Sequence, residues 1–235
     1  ADGWITRCQE HAESLGLLLN GSESIQALIP GSIDADYFVP QLYRPRVEAR
    51  ERFEIGPNVP VIGHAALIAG RGQLELLEAA ELLGEDAPHI LYIGRGEGEE
   101  ALRARVAQSP ISDRVHFSGY LQGEALLEGY AALDAVFCAQ AGNDASVRAA
   151  LEGMACSLPV LAIQDGALCD VVDTRVGWPI AQRSAEHIAE VLKSWVFSDD
   201  LGELRGQAGR ELVLSSRSFE SEAAATLALY SQCLR

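Results

Sequence analysis

The chain has 235 residues, of which 48% are hydrophobic and 22% are charged, values typical of a globular protein. This length suits one large domain, or one domain with extensions. The net charge of −16 excludes nucleic acid and anionic lipid as expected partners, because both would be repelled. No apolar run approaches the roughly 20 residues that cross a bilayer, so direct membrane insertion is not expected.

Residue usage disfavours further classes of protein. Lys193 is the only lysine, and it lies in an amphipathic helical pattern at 187–195. P-loop kinases need a lysine directly after a glycine-rich loop, and pyridoxal phosphate enzymes need one in their pocket, so both are disfavoured. Arginine must therefore supply any charge that binds phosphate. The five cysteines and five histidines lack metal-ligand spacing, so no metal is expected, and a reducing, cytoplasmic location is expected.

Strand and helix patterns alternate along most of the chain. The first part predicts a strand at 3–6, a helix at 8–15 and a strand at 25–30. Further strands are predicted at 60–66, 89–94, 114–121, 134–140, 159–163 and 176–180. Helices are predicted at 73–83, 98–109, 123–133 and 184–197, and two more over 199–234 with no strand between them. Such alternation implies right-handed βαβ units in a doubly wound parallel sheet, an α/β fold.

Segment 142–162 carries an informative arrangement of charge. A helix is predicted to begin at Asn143 or Asp144 and to end before the next strand. Asp144, Arg148 and Glu152 then share one stripe of that helix. Its N-terminus would attract an anion such as phosphate, and Glu152 would accept hydrogen bonds from hydroxyls. The same spacing is typical of a solvated acid–arginine–acid ladder of salt bridges, so the spacing alone leaves both interpretations open.

The run LEGMACSLPV at 151–160 resembles the nucleotide-sugar signature of the retaining glycosyltransferases of the GT-B fold, the glycosyl transferases group 1 family. In that signature Glu, seven residues and a second Glu are followed by Ala-Met-Ala, two small residues and Pro-Val. Glu152 matches the second Glu, Asp144 replaces the first, and residues 145–147 replace the usual Gly-Phe-Gly.

This resemblance covers about 29–235 and implies a Rossmann-like donor domain, the C-terminal half of a GT-B enzyme, with C-terminal helices. The implied reaction is the transfer of a sugar, hexosyl in type, from a nucleotide-diphosphate sugar to an acceptor hydroxyl with retained anomeric configuration. The resemblance implies no cofactor and no metal, because cations and helix amides take the diphosphate charge.

The start of the chain also resembles part of the family pattern. Residues 29–40, with Asp34 at a matching position, resemble the end of the first domain and the interdomain linker. The resemblance thus divides the chain into a remnant of the N-terminal domain and linker at 1–34, the donor domain at 35–215, and a helix at 216–235 that docks back on the N-terminal domain. The alternative is a complete small α/β protein with an extra hairpin.

The implied partners are a nucleotide sugar and a missing N-terminal acceptor domain, from the same gene or a separate chain. Without that domain, the isolated chain is expected to transfer almost no sugar. Peripheral attachment to a membrane through the missing domain is the alternative to a wholly cytoplasmic location.

Four loops at the carboxyl ends of predicted strands carry the residues that the resemblance assigns to the donor. In the first, Gly63 and His64 stand where the family usually has Gly-Arg, and Arg71 stands where it has Lys, the second of two cations that clamp the diphosphate. Arg71 can replace Lys because a guanidinium binds phosphate in a bidentate manner. His64 is mostly neutral at pH 7. The alternative to a role in diphosphate binding is that His64 ends the strand and forms a hydrogen bond with the backbone.

The second and third loops lie nearer the expected nucleoside. Gly94 and Gly96 resemble a close-approach turn of the family, with a plain strand–helix turn as the alternative. Tyr120 and Leu121 resemble the pair whose backbone reads the edge of the base, although Tyr120 is also consistent with a position in the core.

The fourth loop leads into the signature helix. By the resemblance, Glu152 accepts hydrogen bonds from the ribose and Asp144 points towards the transferred sugar, so these two are the expected catalytic residues. Arg148 is an addition to the family pattern that either stabilises the phosphate charge or bridges the two acids. The amides expected to face the diphosphate belong to Ala145, Ser146 and Val147.

Two functions from other classes remain open. One is a non-catalytic nucleotide-sugar-binding subunit, which would fit His64 and Asp144 as departures from the family pattern. The other is a sugar-nucleotide epimerase of the same fold.

Overall fold

A small parallel sheet of two strands begins the structure. The structure is a computed structural model that describes residues 3–18, 25–40, 43–139 and 144–234, without the side chains of 43, 44 and 144–146. Strand β1 (Gly3–Thr6), helix α1 (Gln9–Leu18) and strand β2 (Ile25–Leu28) follow one another, and the two strands pair in parallel. These predicted elements are confirmed. The alternative of an extra hairpin is wrong, because hairpin strands are antiparallel.

Six further strands form one parallel sheet. They are β3 (Val61–Ala65), β4 (His89–Ile93), β5 (Val115–Gly119), β6 (Ala135–Cys138), β7 (Val160–Ile163) and β8 (Gly177–Ile180). Their order is β5-β4-β3-β6-β7-β8, and all neighbouring pairs are parallel. The doubly wound parallel sheet is thus confirmed. The order reverses between β3 and β6, and ligands of such sheets bind beside this reversal, at the carboxyl ends of the strands.

Helices cover both faces of the six-stranded sheet. They are α2 (Tyr43–Arg52), α3 (Gln73–Leu83), α4 (Glu99–Val106), α5 (Glu124–Ala131), α6 (Asp144–Ala155), α7 (Ala185–Val196), α8 (Glu203–Ser216) and α9 (Phe219–Cys233). Buried residues of α5, α6 and α8 join one hydrophobic cluster, and those of α3, α4 and α7 join another. Val136 and Phe137, adjacent on β6, belong to different clusters, so the clusters lie on opposite faces.

The last helix, α9, packs on the two-stranded sheet. Leu229 of α9 is buried, and a Cβ atom on Gly3 would lie 2.7 Å from Sγ of Cys233. The two helices predicted after residue 199 are confirmed as α8 and α9. The division of the chain at residues 34 and 215 stays a prediction.

Helix α2 was not predicted, because its sequence has no continuous apolar stripe. It is held by Arg50, which is only 2% exposed. The guanidinium of Arg50 donates to Oδ2 of Asp134 at 2.7 Å and to the carbonyl oxygen of Ala132 at 3.0 Å. Asp134 also accepts the backbone N–H of Val61 at 2.7 Å and pairs with Arg46. A buried ion pair thus joins α2 to the starts of β3 and β6.

Candidate functional site

A cleft of about 700 Å³ opens at the carboxyl ends of β3, β4 and β5. Residues of segment 32–38 and Phe219 also line it. The cleft lies on the side of the sheet where a doubly wound fold binds its ligands. The sheet and α6 contribute to its lining Ala65, Gly94, Tyr120, Leu121, Arg148 and Glu152.

Glu152 lies at the wall of this cleft, and its carboxylate is held from two sides. It is 6% exposed. The hydroxyl of Tyr130 donates to Oε2 at 2.6 Å, and Nε of Arg148 donates to Oε1 at 3.0 Å. Burial, and then the Glu152 carboxylate, raise the pKa of Tyr130 well above its usual range, so its phenol remains a donor. One carboxylate oxygen is therefore held from the interior and the other by an exposed arginine.

Of the three residues predicted to share a stripe of α6, Arg148 and Glu152 are in contact. The Arg148–Glu152 pair is present, but the solvated ladder does not describe Glu152, because that residue is buried. Val147 packs in the core, so only its backbone can face a ligand. The backbones of Asp144, Ala145 and Ser146 form the first turn of α6, whose amides lack partners within the helix. Their side chains, and the cap predicted at Asn143, lie outside the described residues.

The first predicted loop begins later than expected. Strand β3 pairs with β4 as far as Ala65, so Gly63 and His64 lie within the strand, and their predicted place in the loop is wrong. A Cβ atom on Gly63 would lie 2.2 Å from Cδ1 of Leu133, which explains the glycine by close packing. Neither residue lines the cleft.

His64 is buried, and both its ring nitrogens face backbone carbonyl oxygens. Nδ1 lies 2.9 Å from the oxygen of Phe137, and Nε2 lies 3.0 Å from that of Arg71. Burial lowers the pKa of His64, which favours the neutral ring and its single N–H donor. This is the backbone-bonded alternative. Direct contact with a diphosphate would require the ring to leave one of these carbonyls.

Arg71 lies at the reversal of strand order, half-exposed, and not among the residues that line the cleft. Its backbone N–H donates to Oε1 of Gln73, whose Nε2 donates to the carbonyl oxygen of Leu67. The next residue, Gly72, has a φ of 97°, and a Cβ atom there would lie 2.1 Å from Cβ of Ala139. The loop therefore packs tightly against the end of β6 and fixes the backbone from which the Arg71 side chain extends.

The second and third loops follow β4 and β5 and contribute to the lining of the cleft. A Cβ atom on Gly94 would lie 2.0 Å from the carbonyl oxygen of Ala66, and one on Gly96 2.1 Å from that of Ile68. Both glycines thus permit close approach of the backbone, and Gly94 lines the cleft. Tyr120 also lines it and is 67% exposed, so the alternative of a core position for Tyr120 is wrong.

Several residues at the cleft were missed by the sequence reasoning. Tyr130, the interior partner of Glu152, carries no local signal, because the two residues are far apart in the chain. Arg95 and Tyr37 line the cleft, whereas Tyr130 does not line it and contacts Glu152 at its wall. The backbone N–H of Tyr37 donates to Oδ1 of Asp34 at 2.9 Å, and the DADY run was a detectable signal for that turn.

The described residues contain neither a metal-binding group nor a membrane-spanning helix. Among them, no three His, Cys, Asp or Glu side chains are grouped so that they could hold a metal ion. In the same part of the chain, no helix has the length and apolar character that a membrane span requires.

Solved structures resemble this one over almost its whole length. A glycosyltransferase from Rickettsia africae ESF-5 superposes with a TM-score of 0.82 at 19% identity, covering 98% of this chain and 63% of the other. The Anabaena protein HepE in complex with UDP superposes with a TM-score of 0.83 at 17% identity, covering 99% of this chain and 64% of the other. These likenesses confirm the predicted fold class, a Rossmann-like α/β domain of the GT-B fold.

Curated relatives are more similar in sequence. A GDP-mannose-dependent alpha-(1-6)-phosphatidylinositol monomannoside mannosyltransferase of Mycobacterium tuberculosis is 27% identical over 86% of this chain and 54% of its own length. A 2-deoxystreptamine glucosyltransferase of Streptomyces kanamyceticus is 26% identical over 100% of this chain and 61% of its own length. The chain thus spans about half the length of the curated relatives it matches. A family model described as Glycosyl transferases group 1 matches residues 48–212, more than half of the chain, so the chain belongs to that family.

Proposed function

We propose that this chain binds a nucleotide-diphosphate sugar in the cleft, and that the whole protein transfers the sugar to an acceptor hydroxyl with retained configuration. The observation that carries the proposal is the buried Glu152 carboxylate at the cleft wall. A carboxylate held in place without being fully enclosed is suited to accept hydrogen bonds from the two hydroxyls of a ribose.

The relatives support this choice of ligand. The Mycobacterium tuberculosis relative is named as GDP-mannose-dependent, and HepE was crystallised with UDP and with UDP-glucose. In our proposal the first-turn amides of α6 and the side chain of Arg71 take the diphosphate charge, without a metal ion. Asp144, at the start of α6, is proposed to face the transferred sugar.

The acceptor site is proposed to lie in a further N-terminal domain, because the chain spans about half the length of its curated relatives. Closure of two domains on the substrates would orient them and exclude water. We therefore propose that the isolated chain binds the donor but transfers almost no sugar.

Ligand-dependent unfolding tests the binding step. UDP, GDP and ADP, each at millimolar concentration, are compared with the corresponding nucleosides. A ligand at 100 times its Kd stabilises the fold by about 2.7 kcal/mol, which is a shift of several degrees. Stabilisation by at least one diphosphate is expected, and stabilisation by none would overturn the proposal.

Turnover is then measured with the full-length protein and with this chain. The full-length protein should release nucleoside diphosphate in the presence of an acceptor and yield a product with the donor's anomeric configuration, read by NMR. Donor binding without turnover by the full-length protein would instead indicate a non-catalytic subunit.

A further inference from the structure

Tyr130 contacts the proposed ribose-binding acid from within the hydrophobic core. It is the penultimate residue of α5, is 1% exposed, and does not line the cleft. Its hydroxyl donates to Oε2 of Glu152 at 2.6 Å. Phe38 meets the tyrosine ring edge-on, with centroids 5.9 Å apart and planes at 89°. Phe38 itself lines the cleft.

We propose that Tyr130 is a positioning residue for nucleotide binding: it fixes one oxygen of the Glu152 carboxylate, so that the other is presented to a ribose hydroxyl. This inference rests on the proposed function and adds a residue to it. Tyr130 does not touch the ligand and acts only through Glu152.

The two donors on Glu152 are not equivalent. The Arg148 side chain is 67% exposed, so it loses freedom when it pairs and is screened by solvent. The Tyr130 hydroxyl has less freedom, because its ring is buried in the hydrophobic core and packs against Phe38. A buried donor with one orientation sets the rotamer of the carboxylate before the ligand arrives, and preorganisation of this kind strengthens binding.

The chain offers a matched control for removal of this hydroxyl. Tyr92 is 0% exposed, and its hydroxyl donates to the carbonyl oxygen of Gln73 at 2.7 Å. Tyr130→Phe and Tyr92→Phe therefore each remove one buried hydroxyl and leave one acceptor without that donor. Only Tyr130→Phe removes a contact to Glu152.

The test pairs these variants with ligands that lack one ribose hydroxyl. The affinities of GDP, 2′-deoxy-GDP and 3′-deoxy-GDP, and of the matching UDP set, are measured by calorimetry. The unmodified protein should prefer the ribonucleotide by about tenfold, as expected for a hydrogen bond to a charged group. In Tyr130→Phe this preference should shrink to about threefold or less, whereas Tyr92→Phe should keep it in full even if its melting temperature falls.

The outcomes separate the inference from the proposed function. If no diphosphate binds the unmodified protein, the proposed function fails and this inference fails with it. If GDP or UDP binds with no preference for the ribonucleotide, nucleotide binding stands and the role of Tyr130 is overturned. If Tyr130→Phe keeps the full preference, only the role of Tyr130 is overturned.

A second variant serves if Tyr130→Phe does not fold. Phe38→Leu keeps the Tyr130 hydroxyl and removes the aromatic ring that packs against the tyrosine ring. Like Tyr130→Phe, it should reduce the preference for the ribonucleotide. An unchanged preference in Phe38→Leu would overturn the inference.

Discussion

Arg148 and Glu152 lie one turn apart on α6, and Nε of Arg148 donates to Oε1 of Glu152 at 3.0 Å. The side chain of Arg148 is 67% exposed and that of Glu152 is 9% exposed. The pair thus joins a solvated cation to a buried anion at the wall of the cleft. A ligand hydroxyl that takes Oε1 would release the guanidinium, which could then pair with a phosphate.

Arg148→Gln distinguishes the two roles open to this arginine. If the guanidinium pairs with the diphosphate, the affinity for GDP or UDP should fall by about fivefold, or about 1 kcal/mol for an exposed charge, and the loss should shrink at high salt. The affinity for the nucleoside should not fall. Arg103→Gln, which breaks the exposed Arg103–Glu99 pair on α4, is the control. Unchanged or tighter binding of the diphosphate would show that Arg148 only bridges to Glu152.

Glu152→Gln tests the acid itself. The amide keeps an acceptor for Tyr130 but loses the charge-assisted hydrogen bonds to the ribose, which are worth about 1.5–3 kcal/mol, so nucleotide affinity should fall at least tenfold. The control is Glu81→Gln, which removes a partly buried carboxylate paired with Arg105 away from the cleft. A lower melting temperature with unchanged affinity in Glu152→Gln would make Glu152 structural.

Local patterns predicted the strands, the helices other than α2, and the Arg148–Glu152 pair for a clear physical reason. Strands covered on both faces are continuous apolar runs, and a pair four residues apart on a helix depends only on helical geometry. The resemblance, rather than spacing, pointed to the cleft. Spacing alone could not decide whether Glu152 was solvated, because its burial depends on distant parts of the chain. Tyr130 of α5 contacts Glu152, and Phe38 contacts Tyr130.

Long-range contacts account for what the sequence did not predict. Tyr130 meets Glu152, and Arg50 meets Asp134, across 22 and 84 residues of chain. For His64 both interpretations were open, and the position of the Phe137 carbonyl on the neighbouring strand decides in favour of backbone bonding.

The buried pair of Arg50 and Asp134 should dominate the stability contributed by α2. Arg50→Met leaves Asp134 buried without its inner partner, which is expected to cost about 3 kcal/mol of unfolding free energy, with Arg46 as a partial substitute. Arg52→Met, two residues further along, breaks an exposed pair with Glu128 and should cost at most about 1 kcal/mol. Denaturant unfolding compares the two variants, and equal losses would contradict the assignment.

Alanine substitutions at Gly72 and Gly70, in one loop, distinguish the effect of steric contact from that of backbone strain. Both have positive φ, 97° and 70°, so alanine at either site is strained by roughly 1–2 kcal/mol. A Cβ atom on Gly72 would also collide with Cβ of Ala139, at 2.1 Å. A Cβ atom on Gly70 would have no other atom within 4 Å. Gly72→Ala should therefore lower the melting temperature more than Gly70→Ala and weaken diphosphate binding by displacing Arg71. Equal effects of the two substitutions would refute this.

The histidine pair on the edge of the sheet should make stability depend on pH. Nδ1 of His89 on β4 lies 3.0 Å from Nε2 of His116 on β5, and the rings stack. Burial, and then His116 and Arg114, lower the pKa of His89. Burial also lowers the pKa of His116, with Glu54, the backbone of Phe53 and Asp113 acting in the opposite direction.

Because folding lowers these pKa values, the unfolded chain binds more protons than the folded chain as the pH falls. The stability from the neutral pair is therefore present above about pH 6.5, the unfolded pKa, and is lost as the pH falls from there through the folded pKa values. Buried His64 acts in the same direction.

The melting temperature of the unmodified protein should accordingly drop between pH 7 and pH 5. His116→Gln removes one titrating ring and keeps a polar partner for His89, so the fall of its melting temperature with pH should be smaller. His11→Gln, at an exposed site on α1, is the control and should follow the unmodified profile. If His116→Gln gave a profile parallel to that of the unmodified protein, the pair would not be a source of the acid sensitivity.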